Sequence, residues 1–107
     1  MSTYMFLYRG PAASTAASTP EESNARIAAF AAWMKRTGPA LVDAGSPFGA
    51  SAAVSDDATP AAAGDLVGYS IVEADDLAHA RALTEGLPFL ARRDGTCTVE
   101  IFELAAV

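Results

Sequence analysis

Histidine and cysteine occur once each in the 107 residues of this chain. One cysteine excludes an intramolecular disulfide framework and suits a reducing compartment, so the expected location is cytoplasmic. One histidine leaves any metal or acid–base site short of imidazoles. Bases are scarce as well: 7 Lys and Arg stand against 13 Asp and Glu, for a net charge of −6. Such a surface repels nucleic acid and anionic membrane. No basic run exceeds the pairs Lys35-Arg36 and Arg92-Arg93. No apolar run approaches the roughly 20 residues of a spanning helix. The opening MSTYMFLYRG lacks the charged start and apolar stretch of a signal peptide. Phosphate loops of the GxxxxGK or GxGxxG kind are absent, and Gly45-Ser46-Pro47-Phe48-Gly49 lacks the spacing of a hydrolase elbow. No cofactor and no metal are expected.

What is present fits one domain spanning residues 1–107. Hydrophobic residues make up 51% of the chain, enough for a core. Much of that fraction is alanine, which buries little area per residue. An interface with a second copy would supply what a small Ala-rich core lacks.

Thr3 to Arg9 reads as a strand apolar on both faces, ended by Gly10-Pro11. Ala12 to Thr19 reads as a loop. Thr19-Pro20-Glu21-Glu22 is a helix start, with a capping threonine, proline at the first helical position and glutamate closing a capping box. Ile27, Phe30, Ala31 and Met34 recur at helical spacing as one apolar stripe, with Trp33 on its flank. Gly38-Pro39 ends the helix. Ala40 to Ala44 reads as a short strand and Ala50 to Asp56 as an edge strand. Leu66 to Glu73 is the clearest strand. Asp75 or Asp76 caps a second helix whose apolar side carries Leu77, Ala80, Leu83, Thr84 and Leu87, with Gly86 and Pro88 at its end. Thr96 to Leu104 is the closing strand.

The order βαβ(β)βαβ predicts an α+β fold: a ferredoxin-like sandwich, an antiparallel sheet with two helices on one face. Its strands are apolar on both sides, so the other face needs a cover. A second copy across a two-fold axis is the simplest one. The expected partner is therefore the chain itself, as a homodimer through the sheet face.

The run Gly68-Tyr69-Ser70-Ile71-Val72-Glu73-Ala74-Asp75-Asp76-Leu77, followed by Ala80, Ala82, Leu83 and Leu87-Pro88-Phe89, resembles the signature of YCII-related domain proteins. Gly95 to Ile101, Tyr4 to Tyr8 and Leu41 to Gly45 are similar to other stretches of that family. The resemblance implies a dimeric α/β barrel, with subunit sheets face to face. It also implies kinship with muconolactone-processing enzymes and, in one branch, a catalytic pair made of a first-helix His and an Asp in an Asp-Pro-aromatic turn. This chain departs at both places. Glu21 to Thr37 contains no His, and the turn reads Leu87-Pro88-Phe89. The Asp-Gly-Pro-Phe motif of another branch is replaced by Asp57-Ala58-Thr59-Pro60.

Candidate residues follow. His79 and Glu100 are the candidates for proton transfer, against a reading of His79 as a helix-boundary surface residue. Cys97 reads as a small core residue rather than a nucleophile. Asp75-Asp76 reads as a helix cap rather than a metal pair. Tyr4, Phe6, Tyr8 and Tyr69, with Arg9 and Ser70, could line an apolar pocket bearing a few polar groups; the plainer reading is an aromatic core or interface. The expected function is small-molecule binding by a relative that lacks the dyad. The alternatives are cofactor-free proton transfer on an aromatic-derived or lactone-like compound, and a non-catalytic assembly module.

Overall fold

The computed structural model describes residues 1–11 and 19–105; the expected loop at Ala12 to Thr19 lies outside them except for Thr19. The elements are β1 (Ser2–Arg9), α1 (Pro20–Thr37), β2 (Leu41–Pro47), β3 (Ala53–Val54), β4 (Pro60–Ala61), β5 (Leu66–Ala74), α2 (Leu77–Ala82) and β6 (Thr98–Glu103). Short 3-10 turns occupy Gly38–Ala40 and Pro88–Leu90. The main sheet has the order β2-β5-β1-β6, with every neighbouring pair antiparallel. The result is an α+β fold with a four-strand antiparallel sheet and one long helix. No described helix is long and apolar enough to cross a membrane.

The strand register divides the sheet into two faces. Tyr4, Phe6 and Tyr8 stand opposite Val72, Ser70 and Gly68 on one side, and opposite Glu103, Ile101 and Val99 on the other. Tyr4, Phe6, Tyr8, Val72 and Ala74 form the core with Trp33 of α1, Ala80 of α2 and Leu87. Met5, Leu7, Tyr69, Ile71 and Phe102 occupy the other face, and Phe102 remains 50% exposed. One face carries the helices' packing partners; the other has the expected apolar patch but is mixed, with Arg9, Asp43, Glu73 and Glu100 beside it.

Both helix starts follow their caps. The Glu22 backbone N–H donates to Thr19 Oγ1 at 3.1 Å, and the His79 N–H donates to Asp76 Oδ1 at 2.7 Å. Gly38 ends α1 at φ 58 and donates its N–H to the Met34 carbonyl.

The structure corrects four local expectations. The buried stripe of α1 is centred on Trp33, not flanked by it: Trp33 is 1% exposed, whereas Ile27 is 64% exposed. Phe30, Trp33 and Thr37 lie at spacings of three and four, so the bulkiest ring takes the deepest place. Helix α2 is six residues long rather than reaching Gly86. Beyond Ala82 the N–H groups of Thr84, Glu85 and Leu87 turn to carbonyls three residues back, which tightens the chain into successive turns. Strand β2 runs through Gly45 to Pro47 instead of ending at Ala44. Finally, the 50–56 segment is no edge strand of the main sheet. Ala53–Val54 pairs with Pro60–Ala61 in a separate hairpin, where Asp57 Oδ1 accepts from the Thr59 N–H and hydroxyl.

Candidate functional site

A cleft of about 1510 Å³ opens at one end of the sheet. It lies between α1, the end of β1 at Tyr8, the Ala44–Pro47 part of β2, the Val67–Tyr69 part of β5 and the 84–93 segment. Its walls are mainly apolar: Ile27, Phe30 and Met34 on α1 face Leu87, Pro88 and Phe89. The Tyr8 and Phe89 rings meet at 5.2 Å between centroids, which joins the sheet to the 3-10 turn. Such a wall forms here because Pro88 fixes the backbone that carries Phe89 towards β1.

Behind the apolar wall stands a directed hydrogen-bond chain. The Tyr8 hydroxyl and Ser70 Oγ lie 2.6 Å apart, and Ser70 Oγ donates to the Ala44 carbonyl at 2.7 Å. Serine has one proton, and a carbonyl only accepts. Tyr8 must therefore be the donor to Ser70. Burial raises the Tyr8 pKa above its ordinary value, outweighing the smaller opposing effect of the Ser70 contact, so the phenol stays protonated at neutral pH. Ser70→Ala removes the acceptor of one buried group and the donor of another, at a cost of about 2–3 kcal/mol; Tyr8→Phe leaves Ser70 bonded to Ala44 and costs about 1 kcal/mol. Urea denaturation of both variants checks that ordering, and equal losses would contradict the assigned direction.

The six expected ligand residues divide among three places. Tyr8 and Ser70 are brought together at the cleft. Tyr4 and Phe6 lie on the same sheet face but in the core, outside the cleft lining. Tyr69 and Arg9 belong to the opposite face by register. Tyr69 still borders the cleft, stacks on Phe48 and donates its hydroxyl to Asp43 Oδ2 at 3.2 Å. That bond, followed by the Asp43 charge, raises the Tyr69 pKa. Arg9 is held by Glu100, at 3.0 Å from Nε and 2.9 Å from Nη2 to Oε2.

The two candidates for proton transfer are not brought together with the cleft. Glu100 is engaged with Arg9 on the opposite face. His79 Nδ1 accepts the Asp75 backbone N–H at 3.0 Å, so this nitrogen is occupied in closing the start of α2. Cys97 is half-buried and does border the cleft. Leu87 stands in the cleft wall, 3% exposed. Where the resemblance would place an acid, this chain thus has a buried apolar side chain.

The sequence reading missed Arg26, Phe30, Met34 and the 84–93 segment as cleft residues. Of these, only the 84–93 segment carries a sequence signal, the Pro88-Phe89 pair, a proline followed by an aromatic ring. Arg26 carries a further peculiarity: its Nη1 is buried and has no hydrogen-bond partner among the described residues.

These features define an α+β protein whose antiparallel sheet ends in an apolar cleft with a polar chain behind it. The chain belongs to the YCII-related domain family, whose sequence model matches residues 1–105. No curated protein and no solved structure matches it.

Proposed function

We propose that this protein binds a small, largely apolar molecule in the cleft beside Tyr8, and does so as a ferredoxin-like homodimer packed through its open sheet faces. The observation that carries the binding reading is the cleft itself: aromatic and aliphatic walls with one protonated phenol at the back. That combination suits a ring-bearing ligand held mainly by burial and oriented by few polar groups. Proton transfer is less well served. The cleft lining includes no imidazole, and Glu85 is the single carboxylate in it.

Two facts support the dimer. The strand order, with helices between β1 and β2 and between β5 and β6, is that of a ferredoxin-like sheet. Met5, Leu7, Ile71 and Phe102 make an apolar patch on the open face, bordered by the Arg9–Glu100 pair, Asp43 and Glu73, and that patch packs on no helix among the described elements. Two sheets stacked at roughly 10 Å would bury that face.

The test is a chemical-shift titration of the isotope-labelled protein with small aromatic and lactone-like compounds. At least one should move the Gly68, Gly86 and Phe89 amides while leaving Thr59 still. A panel that never moves the cleft amides would sink the binding reading. Light scattering on the same sample should give twice the chain mass at micromolar concentration, and a monomer there would remove the dimer.

A further inference from the structure

The cleft's charge runs against that of the chain. Three of the 7 bases, Arg26, Arg92 and Arg93, border it, but only one of the 13 acids, Glu85, does so. In a chain of net charge −6, this is a local excess of positive charge at the mouth of an apolar cleft. Arg92 is partly neutralised, with Nε 3.4 Å from Asp94 Oδ2. Arg93 holds φ 58, a left-handed conformation that an arginine adopts at some cost. Arg26 forms no ion pair among the described residues. Its Nη1 is shut away from solvent without a hydrogen bond to any described residue. A guanidinium in that state is costly to leave unmatched, and no bond to Nη1 resists a turn of the side chain into the cleft.

We infer that the cleft takes a small carboxylate with a ring-bearing body, and that Arg26 anchors the carboxylate. The inference rests on the binding reading above and specifies its ligand class. Geometry on α1 favours this shape. Arg26, Phe30 and Met34 follow one another at intervals of four, so charge and apolar surface lie along one stripe. Each step is about 6 Å along the helix axis. A one- or two-ring acid spans from the guanidinium to Phe30 and Met34, with its body against Phe89 and Tyr8. Arginine's planar fork matches a carboxylate in a two-point contact. A phosphate dianion fits less well, because the walls are apolar and the cleft lacks a glycine-rich cradle of backbone N–H groups.

The experiment compares matched pairs by titration of the intact protein, followed by NMR at the cleft amides. The pairs are benzoate with benzamide, phenylacetate with phenylacetamide, cinnamate with cinnamamide, and 2-naphthoate with 2-naphthamide. Inorganic phosphate is a separate arm. At least one acid should bind about tenfold or more tightly than its amide, with affinity falling as salt rises. Arg26→Gln should weaken that acid about ten- to a hundred-fold and leave the amide unchanged. Arg26→Lys should restore part of the loss, and Arg81→Gln, away from the cleft lining, should change nothing. Amides that bind as well as acids, an unaffected Arg26→Gln, or phosphate binding as tightly as the best acid would overturn the inference. If neutral compounds bind and acids do not, only this inference falls; if nothing moves the cleft amides, the binding reading falls with it. Should Arg26→Gln fail to fold, the wild-type acid-to-amide ratio and its salt dependence decide.

Discussion

Trp33→Ala should cost about 3–5 kcal/mol of stability, a large share of what a domain of this size possesses. Trp33 is 1% exposed and joins α1 to the sheet core. Its ring packs on Phe30 at 5.5 Å between centroids, and its Nε1–H donates to the Leu83 carbonyl at 2.8 Å. That bond ties α1 to the turns that follow α2, where the carbonyl would otherwise lack its partner. Truncation therefore removes both a large apolar volume and a half-buried hydrogen bond. The small core around it, with Tyr4, Phe6, Val72 and Ala74, has little spare side chain to collapse into the hole. Trp33→Phe separates the two contributions. It keeps most of the ring and loses only the bond, so its cost should be about 1–2 kcal/mol. Urea denaturation followed by far-UV circular dichroism measures both. A loss below 1 kcal/mol for the alanine variant would mean that α1 is not held to the sheet by this residue.

The contrast between what the sequence displays and what it hides has a physical basis. Caps and breakers act within one helical turn, so Thr19, Asp76 and Gly38 announce their roles locally, and the structure has each where it was expected. Strand alternation is equally local, and β1 and β5 are plain in the sequence. The rotation of α1 about its axis is different. Both Ile27 and Trp33 are apolar, and only the partner surface decides which of them is buried. The short extent of α2 hides for a related reason. Leu83 and Leu87 continue a helical period, but the chain meets them through 3-10 turns with Thr84 Oγ1 donating to the Arg81 carbonyl at 2.7 Å.

The site was harder to read than the fold because it is assembled from distant segments. Tyr8 and Ser70 are 62 residues apart in sequence and 2.6 Å apart in space. Residue type marks both as candidates, and the register of β1 against β5 brings them together. Residue type groups Tyr69 and Arg9 with them, but alternation puts neighbouring residues on opposite faces. Arg26 gave no signal at all. An arginine in a helix of this composition reads as solvated, and its burial is a property of the assembled cleft.

Gly45→Ala should be as damaging in its own way, at about 2–4 kcal/mol, or a fall in Tm of 10 °C or more. Gly45 holds φ +79 inside β2, where an alanine is strained, and an added Cβ would land on the Tyr69 carbonyl oxygen of the adjacent strand. The carbonyl is backbone and cannot swing aside, so β2 and β5 would have to separate. The irregular register places Gly45 between Asp43, opposite Ile71, and Ser46, opposite Tyr69. Asp43 accepts the Gly45 N–H through Oδ1 at 2.8 Å and the Tyr69 hydroxyl through Oδ2. The neighbouring Ala44 carbonyl receives the Ser70 hydroxyl. One irregular step therefore holds the Asp43–Tyr69 bond on the open face and the Tyr8–Ser70–Ala44 chain behind the cleft. Displacing β2 disturbs both, so ligand-induced shifts at the cleft should weaken together with stability. Gly49→Ala is the matched control: an added Cβ there meets nothing within 4 Å and the backbone is ordinary, so its Tm should stay near that of the wild type. Equal melting temperatures for the two variants would show that β2 yields without penalty, and would detach the strand from any part in shaping the cleft.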